Sequence, residues 1–358
     1  MDLPVLPPLA PMLAKAVARV PGGNYGYEPK WDGFRTIVFR DGDEVEIASR
    51  NGRAMNRYFP ELEEAFGRLL PQRCVVDGEI VLIDDAARRL DFDTLQQRIH
   101  PAASRVRKLA EETPAAFVGF DLLALGDRSL LAEPYERRRA LLAETFAQLP
   151  PPLHLTAETR DRAIAEEWFA SFEGAGLDGV LAKALDAPYE PGRRTMLKIK
   201  HERTADCVLA GYRTHKNDPK AIGSLLLGLY DDDGALVHVG VASSFPMPRR
   251  RKLFEELQPL VTDAAGHPWA PAEQQSGTRT PRNAEGSRWS GDKDLSFTFL
   301  RPERVVEVKY DHMEGERFRH TAQFQRWRPD RDPGSCTYAQ LEEPVRYDLD
   351  DVLSTGGS

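Results

Sequence analysis

The sequence of 358 residues predicts an α+β protein with two domains. Its length exceeds that of one ordinary domain, and its secondary-structure pattern changes near residue 200. Before that point strands alternate with amphipathic helices, whereas after it short strands with turn signals are interrupted by one helical stretch. Several short strands with a single helix fit a small β-barrel such as an OB-fold. We therefore expect domains at residues 1–201 and 202–358.

The individual elements follow from local patterns. In the first domain, apolar alternation between turn residues predicts strands at residues 25–31, 34–40, 45–49, 74–83, 115–125, 177–183 and 195–200. Helical spacing of apolar residues predicts helices at residues 60–70, 91–99, 104–112, 135–149 and 162–176. In the second domain we expect a helix at 249–261 and strands at 205–213, 223–230, 235–243, 303–310 and 317–324. The stretch from Thr262 to Leu295 is rich in Gly, Pro, Ser and charge, which predicts a long surface excursion.

Composition limits the class of protein. A hydrophobic content of 41% is typical of a globular chain, and no apolar run approaches the roughly 20 residues that span a bilayer. The N-terminus does not resemble a signal peptide, and the isolated Cys74, Cys207 and Cys336 suit a reducing cytoplasm. The net charge of −8 argues mildly against a protein wrapped on DNA. However, the stretch from Arg317 to Arg331 holds five arginines against one acid, so a local basic patch is expected there.

The most specific motif is Lys30-Trp31-Asp32-Gly33-Phe34-Arg35, preceded by Glu28 and Pro29. A lysine amine attacks phosphorus only when it has lost its proton, which neighbouring cations or a partly desolvated site favour. The Asp-Gly pair permits a tight turn, and Arg35 can hydrogen-bond a nucleotide or a phosphate. The alternative interpretation is a solvated hairpin with an exposed lysine.

The motif fits K-x-D-G-x-R, and the chain resembles the lysine nucleotidyltransferases, a superfamily of DNA ligases, RNA ligases and capping enzymes. Further stretches resemble the later motifs of that superfamily in the same order: Ser49–Gly52, Asp77–Ile80, Phe120–Leu123, Asp178–Lys183 and Leu197–Lys200. The resemblance implies an ATP-grasp-like nucleotidyltransferase (adenylation) domain in which Lys30 is the nucleophile. It also implies that the nucleotide is bound by Glu28, Pro29, Lys30, Arg35, Arg50, Glu79, Phe120, Lys183, Lys198 and Lys200.

The resemblance assigns Phe120 to stacking on adenine and Glu79 to contacting the ribose or holding a metal through water. It also assigns Asp178, together with Glu79, to holding Mg²⁺ or Mn²⁺. Asp178 stands where the superfamily usually has a longer glutamate, so its role is open. Taken singly, each residue has an ordinary structural alternative: a strand acid for Glu79, a core ring for Phe120, and solvated edge charges for Lys198 and Lys200. Six elements in the right order disfavour coincidence.

Near the C-terminus, the stretch from Arg319 to Arg331 resembles the sixth motif of ATP-dependent ligases. The resemblance implies that Arg319, Arg328, Asp330 and Arg331 orient the pyrophosphate of ATP. Arg331 replaces the usual lysine and keeps the charge. Without the earlier motifs, the same stretch would predict only a basic surface strand.

Resemblance to the bacterial DNA ligase C type, which is related to the ligase domain of DNA ligase D, extends over nearly the whole chain. It implies an ATP-dependent DNA ligase that seals 3′-OH/5′-phosphate nicks in duplex DNA during repair. The implied cofactors are ATP and Mg²⁺ or Mn²⁺, and an implied partner is a primase-polymerase. We expect a cytoplasmic, nucleoid-associated monomer with no membrane contact.

Two alternatives remain at this stage. An RNA ligase or an mRNA capping enzyme is built on the same motifs, and a capping enzyme would use GTP in place of ATP. A non-catalytic nucleic-acid binder could use the OB-like half alone, but it would leave Lys30, Glu79 and the Lys198/Lys200 pair without a common purpose.

Overall fold

The computed structural model describes residues 1–84, 86–201, 203–270, 278–281, 296–341 and 347–354. The chain divides into two compact units, Met1–Lys200 with Pro344–Ser358, and His201–Glu343. The sequence pattern places the C-terminal tail in the second domain, whereas in the structure it belongs to the first unit. Leu349 and Val352 are fully buried there, and Arg88 forms salt bridges with Asp348 and Asp350 at 2.5 Å.

The first unit contains strands and helices in mixed order, which confirms the α+β class. Its strands are β1 (Leu13–Ala16), β2 (Tyr25–Pro29), β3 (Phe34–Asp41), β4 (Glu44–Ser49), β5 (Arg73–Val81), β6 (Ile83–Asp84), β7 (Arg89–Leu90), β8 (Ala116–Leu125), β9 (Arg128–Ser129), β10 (Leu153–Leu155), β11 (Val180–Ala184) and β12 (Arg194–Ile199). Its helices before the second unit are α1 (Pro60–Leu69), α2 (Phe92–Gln96), α3 (Ala103–Glu112), α4 (Tyr135–Phe146) and α5 (Arg162–Ser171).

Two main sheets organise this unit. One has the strand order β1-β12-β11-β2, and the other has the order β10-β8-β5-β3-β4, with β9 beside β8. Strands β5 and β8 lie inside the second sheet, and their residues are buried almost without interruption because apolar side chains cover both faces. Phe66 of α1 and Phe146 of α4 pack with Phe117 on one side, while Tyr27 and Val180 of the first sheet pack with Val118 on the other.

The second unit consists of β13 (Arg203–His215), β14 (Asp218–Tyr230), β15 (Leu236–Ala242), α6 (Met247–Leu257), β16 (Thr298–Tyr310), β17 (Met313–Glu314), β18 (Arg317–Phe318) and β19 (Gln323–Trp327). The sheet order is β15-β14-β13-β16-β19, and a parallel bridge between Ala242 and Ala322 joins its two edge segments. This order, with a helix between the third and fourth strands, agrees with the expected OB-fold. The helix α7 (Leu349–Ser354) belongs to the first unit.

One local prediction in the second unit was wrong, and another holds only for part of its described residues. The single strand expected at 317–324 is divided into β18 and β19, because Phe318 pairs with Met313 whereas Gln323 pairs with Lys309. The described start of the expected surface excursion is exposed at Asp263, Ala265 and Gly266 but buried at His267, Trp269 and Ala270. Trp269 is 1% exposed and donates from Nε1 to the carbonyl oxygen of Leu236 at 2.7 Å. Residues 271–277 and 282–295 of that excursion lie outside the described residues.

In the described parts of the chain, no helix combines the length and the apolar character needed to cross a membrane.

The buried pair between Arg138 and Asp121 tests the packing of α4 against β8. Their side chains are 0% and 1% exposed and form two hydrogen bonds, at 2.8 and 3.1 Å. We expect Arg138→Ala to destabilise the first unit by about 3–5 kcal/mol, because it leaves the Asp121 carboxylate buried without its cation. Urea denaturation measures the difference. The neighbouring exposed Arg137 provides the control, and Arg137→Ala should change stability by less than about 0.5 kcal/mol. Equal losses in both variants would contradict this account.

Candidate functional site

Lys30 directly follows β2, and its backbone is fixed by pairing with the start of β11. The Lys30 amide donates to the carbonyl oxygen of Gly179 at 2.8 Å, and the Asp178 amide donates to the carbonyl oxygen of Lys30 at 2.8 Å. Gly179 has a φ of +122°, and a Cβ there would lie 2.0 Å from the carbonyl oxygen of Ile199. Gly33 is equally constrained, since a Cβ added at this position would lie 2.0 Å from the carbonyl oxygen of Ile80. Both glycines of the sequence motifs are therefore required by close backbone approach.

This pairing brings three charged side chains together. The Lys30 ammonium contacts Asp178 Oδ2, and Lys200 Nζ lies 3.0 Å from the same oxygen. The Asp178 side chain is 6% exposed. Burial raises the pKa of Asp178, but the charges of Lys30 and Lys200 outweigh it, so that the pKa falls well below the usual range. Although aspartate is one methylene shorter than glutamate, it reaches both lysines.

Lys30 opens onto a cavity of about 180 Å³, here called the Lys30 cavity. Its wall combines cations, one carboxylate and apolar groups, in a mixture suited to a ligand that has both a planar apolar part and negative charge. The lining residues are Pro11, Met12, Leu13, Ala14, Lys30, Trp31, Arg35, Arg50, Glu79, Phe120, Leu181, Arg194, Met196 and Lys198. The structure thus brings together six of the residues predicted to bind a nucleotide: Lys30, Arg35, Arg50, Glu79, Phe120 and Lys198.

Arg35 is held in a fixed position on β3. Its Nε and Nη2 atoms each donate to one oxygen of Asp77 at 2.6 Å, and its guanidinium lies 4.4 Å from the centre of the Phe120 ring. Burial lowers the pKa of Arg35, but the adjacent Asp77 carboxylate raises it by more, so the net pKa lies above the ordinary value and the charge is retained. A bidentate pair of this kind fixes the plane of the guanidinium and the ring beside it.

Glu28, Pro29 and Lys183 lie behind the Lys30 cavity and are absent from its lining. Lys183 Nζ contacts Glu28 Oε2 at 2.7 Å, and the two side chains are only 2% and 1% exposed. Lys183 Nζ also donates to the carbonyl oxygen of Phe120 at 3.0 Å and lies 4.9 Å from the centre of that ring. Pro29 ends β2 opposite Val180. These residues support the strands that carry Lys30 and Phe120.

Glu79 is the carboxylate on the cavity wall. Burial raises its pKa to about 8, although Arg35 and Lys30 oppose the rise. A carboxyl group with this pKa is largely protonated at neutral pH unless a cation approaches it. Among the residues that the structure describes, no group of three or more His, Cys, Asp or Glu side chains is arranged to hold a metal ion. Carboxylate oxygens such as those of Glu79 and Asp178 are ligands of the kind that Mg²⁺ and Mn²⁺ prefer.

The four C-terminal candidates belong to the second unit, where the three arginines among them are paired with acids. Arg328 contacts Asp206 at 2.9 Å and Asp330 at 2.8 Å, and Arg331 lies 3.4 Å from Asp206. Arg319 contacts Glu314 at 3.0 Å. The local excess of arginine expected from the sequence is therefore offset by acids from other strands, among them Asp206, which precedes it by more than 100 positions.

Several cavity residues were not predicted from the sequence. Met12 and Leu13 reach the wall because β1 pairs in parallel with β12, and Arg194 opens β12 opposite Leu13. Trp31 lies inside the Lys30 motif and donates from Nε1 to Thr156 Oγ1 at 2.8 Å. For Trp31 the motif itself was a usable signal, whereas the pairing of β1 with β12 joins segments about 180 residues apart and has no local signature.

Comparison with known proteins agrees with this arrangement. Residues 4–200 match the family model described as ATP dependent DNA ligase domain, and residues 218–331 match the model described as ATP dependent DNA ligase C terminal region. The chain is 60% identical to DNA ligase C of Mycobacterium tuberculosis over 357 residues, which cover 99% of each protein. It is 61% identical to DNA ligase C2 of Mycolicibacterium smegmatis over 346 residues, which cover 96% of this chain and 97% of the relative.

A solved structure reported in a structure-function study of Lig E DNA ligases has a similar fold, with a TM-score of 0.55 and 17% identity. The match covers 89% of this chain and 99% of that chain. Two family models together span most of the sequence, and the relatives above align from end to end. The chain belongs to the ATP-dependent DNA ligase family.

Proposed function

We propose that this ligase seals 3′-OH/5′-phosphate nicks in duplex DNA through AMP attached covalently to Lys30. The observation that carries the proposal is the position of the Lys30 amine. It lies at the wall of a cavity that also presents Arg35, Arg50, Arg194 and Lys198, and it is held by a carboxylate shared with Lys200. A polyphosphate requires such a concentration of cations, and a nucleophile must be held next to them.

In the first step, the deprotonated Lys30 amine attacks the α-phosphorus of ATP. A P–N bond forms, the P–O bond to the β-phosphate breaks, and pyrophosphate leaves with the bonding electron pair. Asp178 Oδ2 holds Nζ in place before attack, but its lowered pKa makes it a weak base, so the amine proton passes to solvent. Lys198 and Lys200 stabilise the charge that grows on the phosphoryl oxygens.

The later steps transfer and then release AMP. A 5′-phosphate oxygen at the nick attacks the lysyl-AMP phosphorus and breaks the P–N bond, which leaves an adenylated DNA end. The adjacent 3′-hydroxyl then attacks that end, forms the phosphodiester and expels AMP. Arg50, on the turn after β4, is exposed and can contact the 5′-phosphate.

Other assignments rest on the family resemblance together with the geometry. The Phe120 ring on the cavity wall provides an apolar surface for adenine. Glu79 and Asp178 would hold Mg²⁺ or Mn²⁺, which when bound would neutralise charge on the phosphate oxygens. In the second unit, Arg319, Arg328, Asp330 and Arg331 would orient the pyrophosphate, and the fork of Arg328 is already fixed by Asp206 and Asp330.

The biological setting is inferred in the same way. We infer a cytoplasmic, nucleoid-associated enzyme from the DNA substrate, and the LigD relatives, whose names specify non-homologous end joining and DNA repair, support a role in repair. A primase-polymerase partner and a monomeric state follow from the resemblance alone.

The role of Lys30 is tested by transfer of label from α-labelled ATP to the protein. We expect Lys30→Ala to abolish labelling, because it removes the amine that the proposal assigns as the nucleophile, whereas Lys108→Ala should label like the wild type. Lys108 is an exposed lysine of α3 that pairs with Glu112 at 3.6 Å. Labelling should require ATP and not GTP, which separates the ligase from a capping enzyme. Labelled Lys30→Ala protein would place the nucleophile elsewhere.

The protonation of Glu79 predicts a pH-dependent stability. With its pKa raised from 4.5 to about 8, folded Glu79 binds more protons than unfolded Glu79 between these values. The wild type should therefore lose stability relative to Glu79→Gln as pH rises from about 5 to about 8, and the difference should level off above that range. Urea denaturation in EDTA without nucleotide measures it.

Millimolar Mg²⁺ with AMP should reduce this pH dependence, because a nearby cation favours the charged carboxylate. A difference between the two proteins that does not vary with pH would refute the proposed protonation. A pH dependence that Mg²⁺ and AMP leave unchanged would instead count against Glu79 as a metal ligand.

A further inference from the structure

The N-terminal segment forms one wall of the Lys30 cavity although no motif assigns it a role. Residues 11–14 line the cavity, and β1 is an edge strand that pairs in parallel with β12, with Ala14 opposite Met196 and Ala16 opposite Lys198. Upstream, Leu3 and Val5 are each 5% exposed and pack in the core. The segment is thus held in the first unit before residue 11 by core packing and at β1 by pairing with β12.

One buried hydroxyl connects this wall to the charged part of the site. Tyr189 is 3% exposed, and its Oη accepts from the Met12 amide at 3.0 Å and donates to Asp77 Oδ2 at 2.6 Å. Asp77 is fully buried and also accepts from Arg35 Nε and Nη2. The path from Met12 through Tyr189 and Asp77 to Arg35 therefore links two walls of the same cavity by direct hydrogen bonds.

The hydroxyl keeps the proton that this path requires. Burial, followed by the Asp77 charge, raises the pKa of Tyr189 well above its usual value, so Oη acts as a donor to Asp77 across the accessible pH range. Because the proton is directed at Asp77, an oxygen lone pair remains for the Met12 amide. Buried polar groups that are all satisfied rigidify the segments that they join.

We propose that Tyr189 is a positioning residue for ATP, which sets the distance between the N-terminal wall and the Arg35–Asp77 pair. The proposal rests on the function assigned above to the Lys30 cavity. Tyr189 contacts no reacting atom and does not line the cavity. It acts through Met12 on the apolar side and through Asp77 on the charged side.

A positioning role predicts a particular kinetic signature. Residues 11–14 carry no charged side chain, so loosening the wall that they form should weaken uniform binding of the nucleotide, which raises KM and leaves kcat unchanged. A purely structural role would instead lower stability and reduce the amount of active enzyme without changing KM. The two interpretations are therefore separable by kinetics combined with unfolding.

The experiment compares Tyr189→Phe with Tyr27→Phe in the full chain. Tyr27 is 1% exposed and donates its hydroxyl proton to the carbonyl oxygen of Pro21, so its replacement also removes one tyrosine hydrogen bond but touches neither Met12 nor Asp77. The rate of protein labelling by α-labelled ATP is measured as a function of ATP concentration. For Tyr189→Phe we expect KM for ATP to rise about threefold to tenfold with little change in kcat, the loss typical of one hydrogen bond. Tyr27→Phe should keep the wild-type KM.

Hydrogen exchange provides a second measurement that does not depend on turnover. In Tyr189→Phe the amides of residues 12–16 should exchange faster than in the wild type, while those of β13 and β14 in the second unit remain protected. Wild-type KM together with wild-type exchange in Tyr189→Phe would overturn the positioning role. Equal increases of KM in both variants would also overturn it, because the effect would then follow from any lost buried hydroxyl. A wild-type chain that takes no label from ATP would instead refute the proposed function itself.

Discussion

The backbone pairing of β2 with β11 is the constraint on which the site depends. The two hydrogen bonds that join Lys30 to Gly179 and Asp178 place a lysine and a carboxylate from positions 148 residues apart in direct contact. A shift of one residue in this register would turn alternate side chains to the opposite face of the sheet and separate the pair. The close approach of Gly179 to Ile199 then fixes β12 beside β11. This pairing brings Lys198 and Lys200, at the end of β12, close to Lys30 and Asp178.

Carboxylates hold several of the predicted site cations in place. Asp178 holds Lys30 and Lys200, Asp77 holds Arg35, and Asp206 holds Arg328. Long cationic side chains lose much conformational freedom when they bind a phosphate, and pairing removes part of that freedom beforehand. This arrangement also explains how a chain with a net charge of −8 can serve a polyanionic substrate. The acids fix the geometry of the cations, while local fields at the cavity decide binding.

Sequence reasoning was effective where the signal was local. The strands around Lys30 and Glu79 were predicted because alternation and glycine turns mark them, and the later motifs appear in the predicted order along the chain. It failed where contacts span the chain. The bond from Tyr189 to Asp77 joins residues 112 positions apart, and Met12 lies 177 positions from Tyr189, so neither contact has a local pattern. The sequence alone also did not show that Lys183 is buried. A buried lysine has no sequence pattern of its own, and its partner Glu28 is identified only from the structure.

The Phe120 ring shows what these distant contacts achieve together. The Arg35 guanidinium and the Lys183 ammonium both lie within 5 Å of its centre, and each cation is anchored by a buried acid on a different strand, Asp77 on β5 and Glu28 on β2. Cation–π attraction in a desolvated setting adds to the packing of the ring, and movement of the ring would weaken it. Because both cations are held by acids of the protein itself, the ring is positioned by contacts within the first unit. A mobile wall loses conformational entropy when a ligand orders it, and a wall that is already fixed avoids this loss. This is the general basis of preorganised recognition.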